Sequence, residues 1–468
     1  MHATLPNKII DFCLSAGANF AEVYEEETRK TSLSLKDNAI EGASAAIIYG
    51  VGIRMFFGNE VLYGFASDSS EGTLLGIAKD LASGRKCKSH SANLTEKTPL
   101  PGGEFLERNY SSFNEAVFKD PRVLGQAFKK DFLFLANSSA RAKGEKIIQV
   151  ESNISDSAQS IKIWNSEGLK VSDNRARIRF SVNVTAADGS ERTNAHEAPG
   201  VLGGYEFLDC LPVEKLSELC AERALRMLSA PYIKGGQMPV VMGNAFGGVI
   251  FHEACGHPLE TEAVRRQASP FCGKLGKQIA HPVLTAIDDG TMSGVWGSLA
   301  VDDEGTPTQR TVLIENGILK NFLSDRVGAK ELGLPLTGSA RRESYKYAPV
   351  SRMRNTFIAP GNSTLEDMLA TVDSGFYAAK MAGGSVNPAT GEFNFAVEEG
   401  YEIKNGKLGD AVRGATLIGL GHEILPKISM VGNDFELAAG MCGAGSGTIP
   451  TTVGQPSLKV DSILVGGR

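Results

Sequence analysis

The stretch Arg177-Ile-Arg-Phe-Ser-Val-Asn-Val-Thr185 alternates strictly. Ile178, Phe180, Val182 and Val184 fall on one side of an extended chain, and Arg179, Ser181 and Asn183 on the other. A period of two reads as a β-strand with one apolar and one wet face, as in an antiparallel sheet covered on one side. Just upstream, Lys146–Glu151 and Ser160–Trp164 read as two more strands, with Ser166-Glu167-Gly168 as a turn. Just downstream, Val213, Leu216, Leu219, Cys220, Ala224, Leu225 and Leu228 recur at helical spacing, and Pro231 stops that helix.

Toward the N-terminus, Asp120-Pro121 predicts a helix start, with the helix running to about Lys143. Residues 86–118 are polar, hold Pro99 and Pro101, and read as a linker or long loop. Before them, Thr31–Leu35, Ala45–Tyr49, Val51–Phe57 and Val61–Phe65 form an expected antiparallel meander, with Gly58-Asn59 as a hairpin turn. Helices around Ile9–Cys13 and over Glu71–Ala82 flank it. Toward the C-terminus, a new unit opens near Gly235-Gly236, and Pro239–Met242 reads as a short buried strand. Gly243-Asn244 then turns the chain into a helix. Beyond it strands and turns alternate, with Asp289-Gly290, Asn316-Gly317 and Asn405-Gly406 as turn dipeptides and Ser363-Thr-Leu-Glu366 as a capping box. The predicted class is α+β: an N-terminal α+β region with antiparallel sheets and flanking helices, then a largely antiparallel C-terminal β domain carrying a metal-binding helix. The expected segments are 1–90, 91–234 and 235–468, the first two forming one unit.

Composition narrows the function. A net charge of -6 argues against general nucleic-acid affinity. No apolar run is long enough to cross a bilayer, and the start lacks a basic segment followed by an apolar one, so no membrane span or signal peptide is expected. Seven cysteines, an odd number without a Cys-x-x-Cys pair, fit a reducing cytoplasm better than a disulfide framework. No Gly-x-Ser-x-Gly elbow, phosphate-binding Gly-Lys-Ser/Thr loop or dinucleotide fingerprint is present.

The chemistry concentrates in Gly247-Gly-Val-Ile-Phe-His252-Glu253-Ala-Cys-Gly-His257-Pro-Leu-Glu260. Two histidines and a glutamate lie close together in a chain with only seven histidines. A single histidine is ordinarily a core residue, but this pattern reads as a metal site of the His-Glu-x-x-His kind. The histidines are one residue too far apart for one helix face: on a regular helix the second is turned roughly 140° from the first. A bulged or ended last turn would reunite them. Gly256 is expected to permit unusual backbone angles, and Pro258 to push His257 out of the helical region. Glu253 could then act as the base that takes a proton from metal-bound water. A catalytic zinc needs a third protein ligand. Cys442, between glycines, is the best candidate, ahead of His281, His422 and Cys255. Thiolate and imidazole donors favour zinc, then iron. Asp302-Asp303-Glu304 and Asp288-Asp289 read as solvated turns rather than calcium sites, and His422-Glu423 as structural.

These residues also resemble the TldD/PmbA family, specifically its TldD branch, over nearly the whole chain. Gly17-Ala-Asn-Phe-Ala-Glu22 and Gly50-Val-Gly-Ile-Arg54 through Tyr63-Gly-Phe-Ala66 are similar to the family's N-terminal signature. His252-Glu253-Ala-Cys-Gly-His257 is similar to the branch's His-Glu-x-x-x-His motif, and Ile287-Asp-Asp-Gly-Thr-Met292 follows in order. Gly440-Met-Cys442-Gly and Val453-Gly-Gln-Pro-Ser-Leu-Lys459 are similar to the closing motif. After Cys442-Gly443 the run Ala-Gly-Ser-Gly departs from the lysine and glycine-glutamine common in the family. The resemblance implies a metalloprotease that trims unfolded peptides in a narrow cleft. It implies a metal on His252, His257 and Cys442, with Glu253 as the motif glutamate. It also implies a dimer, either of two copies or with a PmbA-like paralogue that lacks the histidine motif. Two other readings compete: a catalytically silent metal-stabilised binding protein, and a regulatory module acting on another protein. A fourth ligand closing the site would favour the silent reading.

Overall fold

The computed structural model describes residues 1–2, 4–85, 105–113, 118–387 and 390–467. Its N-terminal half is built on one sheet of eight strands. These are β1 (Phe20–Lys36), β2 (Ala39–Phe57), β3 (Glu60–Ala66), β4 (Leu106–Ser111), β5 (Ile147–Asn165), β6 (Leu169–Asp188), β7 (Glu191–Glu197) and β8 (Gly200–Leu202). The order is β3-β2-β1-β5-β6-β4, with β7 and β8 also paired to β6. Several short expected strands are pieces of long ones: Lys146–Glu151 and Ser160–Trp164 both belong to β5, and Ala45–Tyr49 and Val51–Phe57 to β2. The turns set the register. Asp37 and Asn38 take positive φ (47° and 62°) between β1 and β2, as the right-handed strand twist demands, and Gly58 does so (65°) between β2 and β3.

Two corrections fall between these strands. The segment 86–118 is not all loop: Leu106–Ser111 pairs parallel to β6, while 86–104 and 114–117 lie outside the described residues. The helix expected from Asp120 is split. Asp120 caps a short turn at Pro121–Val123 through Arg122 N, and the helix proper is Gln126–Arg141. That helix and Val213–Ser229 cover the apolar side of the sheet, where Leu133, Ala136, Cys220 and Ala224 pack on Ile178, Phe180, Val182 and Val184. Burying each large apolar side chain is worth about 1.5–3 kcal/mol. Leu5–Ser15 and Glu71–Gly84 cover the β1–β3 end through Ile9, Ile10, Leu74 and Ala78.

The other side of β6, expected to be wet, is so only in part: Arg179, Ser181 and Asn183 are half-buried, and Arg175 and Arg177 before them are buried. It carries the docking surface for the second half of the chain. Arg175 Nη1 donates to Asp303 (2.7 Å), Arg177 Nε to the Trp296 carbonyl (3.0 Å) and Arg179 Nη2 to the Ala439 carbonyl (3.1 Å). The acidic turns are likewise corrected, since Asp288, Asp302, Asp303 and Glu304 are buried. Asp288 binds Arg354 Nε (2.7 Å), and Glu304 binds Arg54 (2.7 Å), which also binds Glu22 (2.8 Å). Asp288, Asp303 and Glu304, which look like solvated turns, are here partners of buried arginines, whereas Asp302 accepts from the backbone amides of Glu304, Thr306 and Ala340; pairing offsets the cost of burying charge.

Among the described residues the second half holds two large sheets, both mostly antiparallel, and a two-stranded pair, Ala340–Arg341 with Val350–Ser351. In one, Gly236–Met242, Leu458–Gly466, Thr416–Leu420, Glu392–Lys404 and Ser374–Asn387 pair in succession. The ring closes because Ser374–Asn387 also pairs with Gly236–Met242. In the other, of six strands, Glu436–Ala444 lies at the end and pairs with Gly447–Gln455. The expected turns at Asn316-Gly317 and Asn405-Gly406 both take positive φ. The capping box is real but one residue later, Thr364 with Asp367 rather than Ser363 with Glu366.

Candidate metal centre

The motif segment lies against the strand Gly447–Gln455. Gly248 is needed there, since a Cβ would sit 2.6 Å from the Gly454 carbonyl oxygen. After one turn at Val249–Phe251 the helix widens: His252–Gly256 is a π-turn, closed by a hydrogen bond from His257 N to His252 O. One extra residue per turn aligns positions five apart, so the spacing that fails on an α-helix succeeds here. The expected break therefore exists, but its cause differs. His257 keeps helical angles (φ -56°, ψ -43°), and so does Gly256 (φ -62°, ψ -53°). Space favours glycine there instead, because a Cβ would meet Met353 Sδ at 2.2 Å and the methionine side chain would have to move. Pro258 fits the first turn of a 3-10 segment, His257–Leu259.

His252, His257 and Cys442 come together with one donor atom each, all within 4.8 Å of one another. His252 Nε2 is 3.3 Å and His257 Nε2 3.2 Å from Cys442 Sγ. All three residues are buried. Burial alone would push the Cys442 thiol up, but the fields of His252 and His257 and their hydrogen bonds hold it down at about 3. For His257 burial works downward, and Glu260 together with Cys442 outweighs it, holding the imidazole well above its usual range. Two ring nitrogens aimed at one thiolate is the donor set of a soft or borderline metal, and the spacing suits ligand bonds of about 2.0–2.3 Å. The three residues fit such an ion.

Glu253 Oε2 stands 3.6 Å from His257 Nε2, partly open, and with His252 it lines a cleft of about 700 Å³. Of the weaker ligand candidates, Cys255 packs into the hydrophobic core, where burial pushes its thiol up. His281 and His422 line a different cavity. Two residues at the centre had no role in the sequence reading. Glu260 holds His257 Nδ1 through Oε2 (3.0 Å) and accepts from Met353 N through Oε1 (3.2 Å). Arg352, fully buried, donates to the Cys442 carbonyl (2.6 Å) and the Gly447 carbonyl (3.0 Å). A carboxylate three positions after a histidine on a helix is a usable signal for Glu260. Arg352, 90 residues from Cys442, leaves none.

Family models match the chain in three places: PmbA/TldA metallopeptidase domain 1 at 21–83, the central domain at 119–228 and the C-terminal domain at 235–467. Metalloprotease TldD homologues from Haemophilus influenzae and Buchnera aphidicola (Acyrthosiphon pisum) are each 34% identical to it. The first match covers 98% of this chain and 95% of the relative, the second 96% and 93%. A zinc metalloprotease TldD homologue of Saccharolobus solfataricus is 31% identical over 65% of this chain and 68% of its own length. Among solved structures, TldE from Thermococcus kodakarensis has the same fold, with a TM-score of 0.77 at 21% identity over 99% of this chain and 100% of that one.

Proposed function

The chain belongs to the PmbA/TldD metallopeptidase family, and from that premise we propose that it hydrolyses unfolded or extended peptides in the cleft beside His252 and Glu253. In this reading His252, His257 and Cys442 hold one divalent transition metal, zinc ahead of iron. The observation that carries it is the convergence of two imidazoles on one buried thiolate, with a carboxylate at the cleft wall. When bound, the metal supplies the Lewis acidity that amide hydrolysis at neutral pH requires. Glu253 accepts a proton from the attacking water and delivers it to the leaving amine. Glu260 orients His257 through its other ring nitrogen, and Arg352 anchors the hairpin bearing Cys442. Glu260 is occupied by His257 and Met353, which argues against its closing the site as a fourth ligand.

Extended substrates suit this cleft because Leu437, Ala438, Gly440 and Met441, on an end strand of a sheet, line it. The reading includes a dimer, of two copies or with a PmbA-like paralogue; the shared fold with TldE supports such a pairing. It also includes a cytoplasmic location, which the free thiols of Cys13, Cys220, Cys255 and Cys442 suit. No helix among the described residues is long and apolar enough to cross a membrane. The decisive experiment is Glu253→Gln. It deletes the base and spares the donors, so metal content by elemental analysis should match wild type while hydrolysis of an unfolded peptide falls by at least ~100-fold. Wild-type hydrolysis by this variant, or loss of the metal from it, refutes the assignment. Loss of the metal in Cys442→Ala completes the test.

A further inference from the structure

Arg175, Arg177 and Arg179 alternate along β6 and share its inner side. Together with Arg341 they line a second cavity, of about 470 Å³, whose walls also include Trp296 and Met441. Arg175 is matched by Asp173 (2.8 Å) and Asp303 (2.7 Å). Arg177 and Arg341 are not matched, although both are buried. Arg177 donates to the carbonyls of Trp296 and Ser298, each at 3.0 Å, and Arg341 to the carbonyl of Met353 at 2.8 Å. Among the described residues no carboxylate forms an ion pair with either one. Of the three carboxylates in the cavity wall two are in ion pairs with other cations, and the third, Glu343, accepts from a backbone amide. Asp303 binds Arg175, Asp156 binds Lys129 (2.5 Å), and Glu343 accepts from Thr448 N (2.8 Å). Burial, and after it the field of Arg175, holds Arg177 down at about 9; burial and then Arg177 do the same to Arg341.

Two neighbouring guanidiniums with no ion-pair partner of their own cost stability, which the field of Asp303 offsets only in part, and an anion bound to them would lower that cost. Arg179 and Met441 line both this cavity and the cleft that holds His252 and Glu253, so the two spaces share a wall. We propose that the cavity is a carboxylate subsite of the cleft, in which Arg177 and Arg341 take the α-carboxylate or an acidic side chain of a bound peptide. The peptide origin of that carboxylate rests on the metallopeptidase reading. A carboxylate is favoured because planar guanidinium groups match its two oxygens and the occupant of the neighbouring cleft is a peptide.

The test uses zinc-loaded Glu253→Gln protein and three N-acetylated alanine peptides: one with a free C-terminal carboxylate, its C-terminal amide, and the amide with one alanine replaced by glutamate. Affinity is read by calorimetry and, independently, by Trp296 emission. A carboxylate-bearing probe should bind on the order of tenfold or more tighter than the neutral amide. Whichever acidic probe shows the gain identifies the source of the carboxylate. Equal affinity for all three probes overturns the proposal, and that result needs no arginine variant to fold. In Arg341→Met the preference should vanish and in Arg341→Lys persist; a preference surviving in both Arg341→Met and Arg177→Met also overturns it. Wild-type protein that binds acidic probes but cleaves no peptide refutes the peptidase reading and supports the subsite. Cleavage indifferent to a carboxylate does the reverse.

Discussion

As ligands of the proposed metal, the thiolate of Cys442 and the imidazole of His257 would start from different proton inventories. Cys442, held down at about 3, has already lost its proton at neutral pH, so it releases none when a metal arrives. His257, held well above its usual range, carries one that must leave, because only a neutral imidazole can be a ligand. The sign follows: affinity of the metal-free protein for zinc should rise with pH while His257 is protonated and level off above its raised value. Titration calorimetry in buffers of different ionisation enthalpy reads the released proton directly; binding without proton release below that value would refute the pairing. Glu260→Gln removes the carboxylate that raises His257, so levelling should begin at lower pH. At high pH the variant should bind zinc about 10–100-fold more weakly, for want of the partner that orients the ring.

One π-turn decides whether the motif is a site. His252 and His257 face the same sulfur only because a single residue is absorbed between Phe251 and His257. That turn packs against Met353, which shares a core cluster with Ala254 and Cys255 and donates its amide to Glu260. Gly256→Ala places a methyl where Met353 Sδ stands, and overpacking of this kind costs about 1–3 kcal/mol. The variant should melt at lower temperature and bind zinc more weakly. Met353→Ala opens the space, so the double variant should recover zinc affinity relative to Gly256→Ala alone. If Gly256→Ala binds zinc as wild type does, the π-turn does not depend on this contact.

At the scale of the molecule, the two halves are joined through buried charge. Arg54 on β2 bridges Glu22 and Glu304, and Arg342 reaches back to Glu22 (2.8 Å). The cleft sits where these halves meet, with Arg179 and Pro199 from one and His252 and Ala438 from the other. If this cleft takes peptides as proposed, a folded protein would be excluded, because its backbone groups are already paired in its own structure. A protein digested in its native state and again while held unfolded should be cut only in the second case; equal rates at sites buried in its native fold would refute this selectivity. Light scattering on the active species should show a dimer, and a fully active monomer would refute that part of the reading.

What was legible in the sequence was what local stereochemistry decides. The alternation of Ile178 to Val184, the helix from Val213, the turns at Gly58 and Asn405-Gly406 and the donor types at His252, Glu253 and His257 depend on neighbours a few residues away. The need for a break between the two histidines was legible too, because it follows from helix geometry alone. The rest is set by contacts across long chain separations. Cys442 reaches His252 over 190 residues. Part of the polar side of β6, at Arg175 and Arg177, is covered by the second half of the chain, and acidic pairs that look like solvated turns are buried partners for Arg54, Arg175 and Arg354. Periodicity records which side of an element is polar, whereas only tertiary packing decides whether that polarity meets water or a buried charge of opposite sign.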